Sequence, residues 1–390
     1  MKELYEEKLG QAAAYLKAED IDMWLIFSSE GSDVATELLM GIKTVGRTFF
    51  VINKDGTRYA ICSSIDAQES EETGLFNEVL VYNQSPAEEL EKLLVKYNPN
   101  KIAIDYSEDD NLCDGLTVGR YRWMLDNLDG DYTRRFVSSQ NMLSKIRSVK
   151  SDGEIANIKK AIEITQEIFT EVFAAIKPGM SEYDVGNLFV KGMKEHKVSD
   201  NITKTLEMPI VMTGNIAHRA PSKDRIINKG DYLIMDFGVE YNGYVSDISR
   251  TAYLLKDGES DAPQRFKEIF AAAYEGITRA FNCVKPGVQG YLVDKAARDY
   301  YIENGLPETT HATGHQIGRY CHDGGALFAP LWDRYKSASE MTIEKGMAFT
   351  LEPTIFEVDG YSVLLEEDIL VTENGAEFLS NRLESLVLIG

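Results

Sequence analysis

The sequence predicts two domains of different class: an α/β domain over residues 1–147, and over residues 148–390 an α+β domain with an internal pseudo-two-fold duplication. Three observations carry this. Short β-type runs alternate with helical patterns in the first part. A charged stretch, 144-SKIRSVKSDGE-154, then leads into a long amphipathic helix. Beyond it, two stretches of the sequence repeat each other. With 390 residues and 44% hydrophobic content, the chain can build two cores.

In the first part the β runs are MWLIF (23–27), TFFVIN (48–53), RYAICSS (58–64), EVLVYN (78–83) and KIAIDYS (101–107). Each is rich in branched and aromatic residues and is bounded by turn formers or charges. The long helix starts at a capping box, Ser151 with Glu154. Ile155, Ile158, Ile162, Phe169, Val172 and Ile176 keep its apolar stripe at helical spacing.

The duplication then becomes visible. The segment 177-KPGMSEYDVGNLFVKGMKEH resembles 285-KPGVQGYLVDKAARDYYIEN, each preceded by an amphipathic helix, and 227-INKGDYLIMDFGV matches 343-IEKGMAFTLEPTI. Aligning Lys229-Gly230 with Lys345-Gly346 sets Asp236 over Glu352. In the first half, 236-DFGVEYNGYVSD-247 reads as a hairpin closed by Asn242-Gly243, the favoured pair for a two-residue type I′ turn. Pairing Tyr241 with Tyr244 sets Gly238 opposite Asp247, so Asp236 and Asp247 become diagonal neighbours on one face. In the second half a turn at Val358-Asp359-Gly360 leads into YSVLLEEDILVT, where Glu366 or Glu367 takes the place of Asp247.

Four carboxylates on corresponding apolar strands repel one another unless protons or cations intervene. Two divalent ions about 3.5–4 Å apart, bridged by carboxylates, satisfy such a set. Of the five histidines, His196 in KEHK reads as a solvated helix residue. His218 in GNIAHRA, and His311, His315 and His322 in 311-HATGHQIGRYCHD, fall near the acids in sequence order. His311 and His315 do not form a zincin helix, because Ala312 replaces the required glutamate and Gly314 interrupts the helix.

Composition excludes other classes. A net charge of −22 opposes nucleic-acid or anionic-membrane partners. The start MKELYEEKLG lacks an apolar signal region, and no run of about 18 apolar residues occurs, so a cytoplasmic protein is expected. Cys62, Cys113, Cys283 and Cys321 lack CxxC spacing and read as buried reduced thiols, which leaves metal binding to carboxylate and histidine.

The order DFG…SDISRT, HATGHQIG, FTLEPTI and LEEDILVT resembles the dinuclear metallopeptidases of pita-bread fold: aminopeptidase P, prolidase and methionine aminopeptidase. The first part resembles the creatinase-type domain of the aminopeptidase P and prolidase branch. The resemblance implies a creatinase-like α/β domain before a pita-bread catalytic domain. It implies metal ligands at Asp236, Asp247, His315, Glu352 and Glu367, with Asp247 and Glu367 bridging two ions. Glu367 is preferred to Glu366 because it directly precedes Asp368 in the family-like EDILVT. Glu352 is placed as proton carrier, and His218, His311 and His322 as groups that contact substrate or the developing oxyanion.

A carboxylate-rich site suits Mn²⁺, and Co²⁺, Zn²⁺ or Fe²⁺ can occupy it. The implied activity is hydrolysis of the N-terminal bond of small peptides by a metal-bridging hydroxide, as an Xaa-Pro aminopeptidase or dipeptidase, in a homodimer. Two alternatives stand beside it: a same-fold hydrolase or lyase of another small substrate, and a non-catalytic binding module. The sequence departs from the pattern at GHQIG, at an inserted-looking stretch within 323–342, and at Leu365, where the proline-specific branch carries an arginine. Arg319 and Arg334 are the candidate replacements for that charge.

Overall fold

The structure is a computed structural model that describes residues 2–214 and 219–390. Two compact units divide between Arg147 and Ser148.

The first unit is built on a mixed sheet whose strand order, among the described residues, is Glu78–Tyr82, Arg58–Ser63, Thr48–Asn53, Met23–Ser28, Ile102–Ile104 and Phe136–Ser138. Period-two alternation divides each strand between two cores. Trp24, Ile26, Phe50 and Ile52 face one, packed with Leu9, Leu16 and Leu143 from the helices. Met23, Leu25, Phe27, Phe49 and Val51 face the other, packed with Leu90, Leu94 and Met124. Covering both faces explains why these strands read as continuous apolar runs. The run at 101–107 is shorter than expected, keeping only Ile102–Ile104 as strand. Phe136–Ser138, which carries no long apolar run, joins the edge beside it. This unit also buries a carboxyl pair, Asp33 and Asp105. Asp105 Oδ1 accepts from Trp24 Nε1 and from Ser139 Oγ, both at 2.5 Å, and Asp33 Oδ1 caps the helix Val34–Leu39 at Ala35 N, 2.8 Å away.

The second unit opens with the helix Asp152–Ala175, capped by Ser151 and Glu154 in a reciprocal capping box as the sequence predicts. The duplication is literal at the backbone. Gly179 and Gly287 both take positive φ, 93° and 89°, after Lys-Pro, and their N–H groups donate to Ile227 O at 2.8 Å and Ile343 O at 2.9 Å. Each turn leads into a helix, Glu182–His196 in one half and Gly290–Glu303 in the other.

The Lys-Gly turns that follow launch the acid-bearing strands Tyr232–Phe237 and Ala348–Leu351. Gly230 N bonds Leu254 O at 2.7 Å, and Gly346 N bonds Val371 O at 2.9 Å. Asn242 and Gly243 have φ of 52° and 80°, and Asp359 and Gly360 have 51° and 82°, so both hairpins close on turns of the type I′ kind. Among the described residues, no helix is long and apolar enough to cross a membrane.

Candidate active site

The first hairpin has the register its turn dictates. Tyr241 pairs with Tyr244, and beyond the break at Gly238 the ladder resumes in step, with Phe237 opposite Ile248 and Asp236 opposite Ser249. Gly238 is needed there: a Cβ would sit 1.9 Å from Ser246 O. Asp236 and Asp247 therefore share a face diagonally, as expected.

The second hairpin does not copy it. Val358 pairs with Tyr361, but the register slips by one between Val358 and Ile355, which faces Val363. Glu357, at φ 45°, lies within this bulge. Counting outward from the turn without the bulge puts Glu367 opposite Glu352. With it, Leu351 faces Glu367, and the next step sets Glu352 opposite Glu366.

A one-residue slip turns every later side chain to the other face. The expectation for Glu367 is therefore corrected. Its carboxylate is held by Arg250 Nη2 at 3.0 Å and by Ser380 Oγ, whereas Glu366 joins Asp247 and His315. Both glutamates are buried, so burial alone does not separate them.

The strand Ala348–Leu351 also delivers the histidine. Thr350 N donates to His315 O at 2.8 Å, and Glu352 N to Thr313 O at 2.7 Å, which ties Glu352 to the His311–His315 segment. The His315 ring lies with Nδ1 3.2 Å from Gln316 O, so Nδ1–H donates and Nε2 presents its lone pair. Nε2 is 3.6 Å from Glu352 Oε1 and 3.9 Å from Asp247 Oδ2. Burial, reinforced by the neighbouring His322, lowers the His315 pKa to about 3, so the ring is neutral at physiological pH.

The donor atoms of Asp247, His315 and Glu366 all lie within 4.8 Å of one another. Burial, and next the charge of Asp236, push Asp247 up to about 8. Burial and then Asp247 push Glu352 and Glu366 well above the usual carboxylate range. Asp368, behind them, accepts from Asp247 N at 3.1 Å and is raised by the same two causes. Packed acids with raised pKa values and a neutral imidazole aimed among them form a donor set that fits divalent cations, which would remove the repulsion.

The other expected residues divide. His322 is exposed, with its ring centroid 4.3 Å from that of His315. His311 is half-buried, with Nδ1 2.7 Å from Ala312 O and the ring edge-on to Phe356. His218 lies outside the described residues. His196 sits between Glu167 and Glu171 on a helix surface, as expected.

Arg319 is not available as a carboxylate clamp, because it is buried with Cζ 4.9 Å from the Tyr244 ring centroid. Arg334 stacks on Trp332 and Tyr335 and donates to Thr310 O at 2.6 Å. Arg298 stands 5.2 Å from the same Trp332 ring and donates to His311 O at 3.1 Å. The insertion is thus pinned to the loop that carries His311. With Glu366 in place of Glu367, the position two residues earlier is Leu364, not Leu365.

Sequence reasoning missed the partners of the acids. Cys321 Sγ lies 2.8 Å from Asp247 Oδ2, and Ser249 Oγ donates to Glu366 Oε2 at 2.9 Å. The signal for Cys321 was its place between Tyr320 and His322 in the histidine-rich segment.

The sequence model of metallopeptidase family M24 matches residues 156–373, which contain all of these acids. An uncharacterized peptidase of Staphylococcus aureus (strain bovine RF122 / ET3-1) is 28% identical over 337 residues, covering 85% of this chain and 87% of its own. Among solved structures, an Xaa-Pro dipeptidase from Bacillus anthracis superposes with a TM-score of 0.77 at 25% identity, covering 98% of this chain and 99% of its own. An X-Pro aminopeptidase from Thermotoga maritima MSB8 gives 0.76 at 25% identity, covering 95% and 98%.

Proposed function

Because the chain belongs to metallopeptidase family M24 and has its pita-bread fold, we propose that it is a dinuclear exopeptidase that cleaves the N-terminal bond of small peptides with proline second. The observation that carries this is the convergence of Asp247, His315 and Glu366 donors within 4.8 Å, beside Glu352. The resemblance of the whole chain to an Xaa-Pro dipeptidase and an X-Pro aminopeptidase supports the substrate class.

In this reading Asp247 and Glu366 would hold both ions, Asp236 one of them, and His315 with Glu352 the other. Bound divalent ions, with Mn²⁺ suited to the oxygen-rich donors, would supply Lewis acidity toward water and the scissile carbonyl. Glu352 holds a proton on its carboxylate and passes it to the leaving nitrogen. His322, exposed beside His315, hydrogen-bonds the oxygen on which charge develops, and His311 contacts the peptide. His218 takes a like part. Arg250 and Ser380 hold Glu367, and Arg250 also binds Glu366 O at 2.8 Å, so Glu366 keeps its direction.

The test is metal analysis of protein purified without added metal, followed by hydrolysis of Xaa-Pro peptides against matched peptides without proline. Two equivalents of divalent ion and a preference for proline are expected. Absence of bound metal, or equal hydrolysis of both sets, overturns the corresponding part. The family resemblance further supports a cytoplasmic homodimer over residues 1–147 and 148–390, which light scattering at micromolar concentration checks.

A further inference from the structure

The segment between His315 and His322 is folded back on itself. Asp323 N donates to Gln316 O at 2.9 Å and closes the loop, and Val245 N donates to Gly318 O at 2.9 Å, docking it on the first hairpin two residues before Asp247. These bonds bring Cys321 inward while His322 stays exposed. The Cys321 thiol, 8% exposed, meets Asp247 Oδ2 at 2.8 Å, and its sulfur lies within 4.8 Å of ring nitrogens of both His315 and His322. Asp247 Oδ2 also lies 3.9 Å from His315 Nε2. Sulfur and imidazole thus approach the same carboxylate oxygen.

We propose that Cys321 is a ligand of the ion held by His315, so that the two ion positions differ in kind: one lined by oxygen, the other offering oxygen, nitrogen and sulfur. This rests on the dinuclear reading above and deepens it. Thiolate and imidazole favour Zn²⁺, Co²⁺ or Fe²⁺, whereas carboxylate suits Mn²⁺, so the positions select different ions. As sulfur takes the ion, the S–H bond breaks and its proton leaves to solvent. Of the other thiols, Cys62 and Cys113 belong to the first unit and Cys283 lies half-buried against Leu292 O. A sulfur signal that is lost on substitution of Cys321 alone therefore identifies that residue as its source.

The experiment loads metal-free protein with Co²⁺ and records absorption for the natural chain, Cys321→Val and Cys283→Ser. Thiolate-to-cobalt charge transfer in the near ultraviolet is expected in the natural chain and in Cys283→Ser, and is expected to vanish in Cys321→Val while the visible cobalt bands persist. In competition dialysis, the ratio of Zn²⁺ to Mn²⁺ affinity should fall at least about tenfold in Cys321→Val. Cobalt uptake without charge transfer in the natural chain, or charge transfer that survives Cys321→Val, overturns the sulfur ligand and leaves the metal centre standing. A natural chain that takes up no cobalt overturns both.

Discussion

Both units of this protein bury carboxyl groups against one another, and each relieves the repulsion in its own way. In the first unit Asp33 and Asp105 form a pair supplied with fixed donors: Trp24, Ser139 and the N–H of Ala35. Burial raises Asp33 to about 6, and burial with the charge of Asp33 raises Asp105 well above the usual carboxylate range, so one proton shared between them suffices. In the second unit Asp236, Asp247, Glu352, Glu366 and Asp368 converge, with Cys321, Asn201, Ser249 and the N–H of Asp247 as donors to three of them. A proton can serve two carboxyls; five around a neutral imidazole call for divalent charge. The difference separates a structural acid pair from a site built to take up a ligand.

The sharpest way to break this contrast is to neutralise each glutamate of the second hairpin. Glu366→Gln should lose at least about 100-fold in kcat/KM, ~2.7 kcal/mol, together with most bound metal. Glu367→Gln should keep its metal, because that side chain answers to Arg250 and Ser380. Equal metal loss in both variants would mean the bulge does not divide their roles.

Chelation should come next in size. With free ion about 100-fold above Kd, linkage stabilises the native state by ~2.7 kcal/mol, so removing metal should lower the melting temperature of the second unit. The first unit should be indifferent to chelator. Hydrogen exchange resolved to Trp24 and His315 peptides distinguishes the two responses, and a chelator effect of equal size at both would erase the contrast.

The shared proton gives a smaller, pH-dependent effect. Asp33 holds its proton more tightly folded than unfolded, so its stabilisation is complete below about pH 4 and is lost as pH rises through about 6. Asp105→Asn keeps an acceptor for Trp24 and Ser139 and gives Asp33 a permanent donor. The melting temperature of this variant relative to the natural chain should therefore rise from pH 4 to pH 7. A constant difference would remove the shared proton.

The smallest effect concerns position 364. Leu364 stands two residues before Glu366 and is buried, and leucine offers no donor to a substrate carboxylate. With Arg319 against Tyr244 and Arg334 against Trp332, neither replaces it. An Xaa-Pro dipeptide and its C-terminal amide should differ in kcat/KM by less than about tenfold, ~1.4 kcal/mol. A much stronger preference for the free acid would require a cation from elsewhere.

How far the sequence disclosed this centre depended on how local each determinant was. The first hairpin was legible because Asn242-Gly243 fixes its turn, and everything back to Asp236 follows by alternation. The duplication was legible because Lys-Pro-Gly and Lys-Gly turns repeat with their hydrogen bonds. Glu367 was preferred to Glu366 wrongly, because a bulge at Glu357 shifts the register and Glu357 is not a glycine that would announce positive φ. Arg319 looked available because a sequence does not display the ring of Tyr244, 75 residues earlier, that covers it. Cys321 approaches Asp247 only through a loop closed by Gln316 and Asp323, a contact with no local signature.

The packing of two guanidinium groups, Arg298 and Arg334, against Trp332 has an optical consequence. The chain has three tryptophans, and Trp24 and Trp123 both belong to the first unit. Trp332 is thus the sole indole of the catalytic unit, 36% exposed, and the arginines beside it hold the carbonyls of Thr310 and His311. Quenchers dissolved in water can reach it, whereas Trp24 is fully enclosed. The protein thus carries a solvent-reachable native fluorophore beside the loop of His311, and quenching of that ring reports on this loop without a label and without turnover.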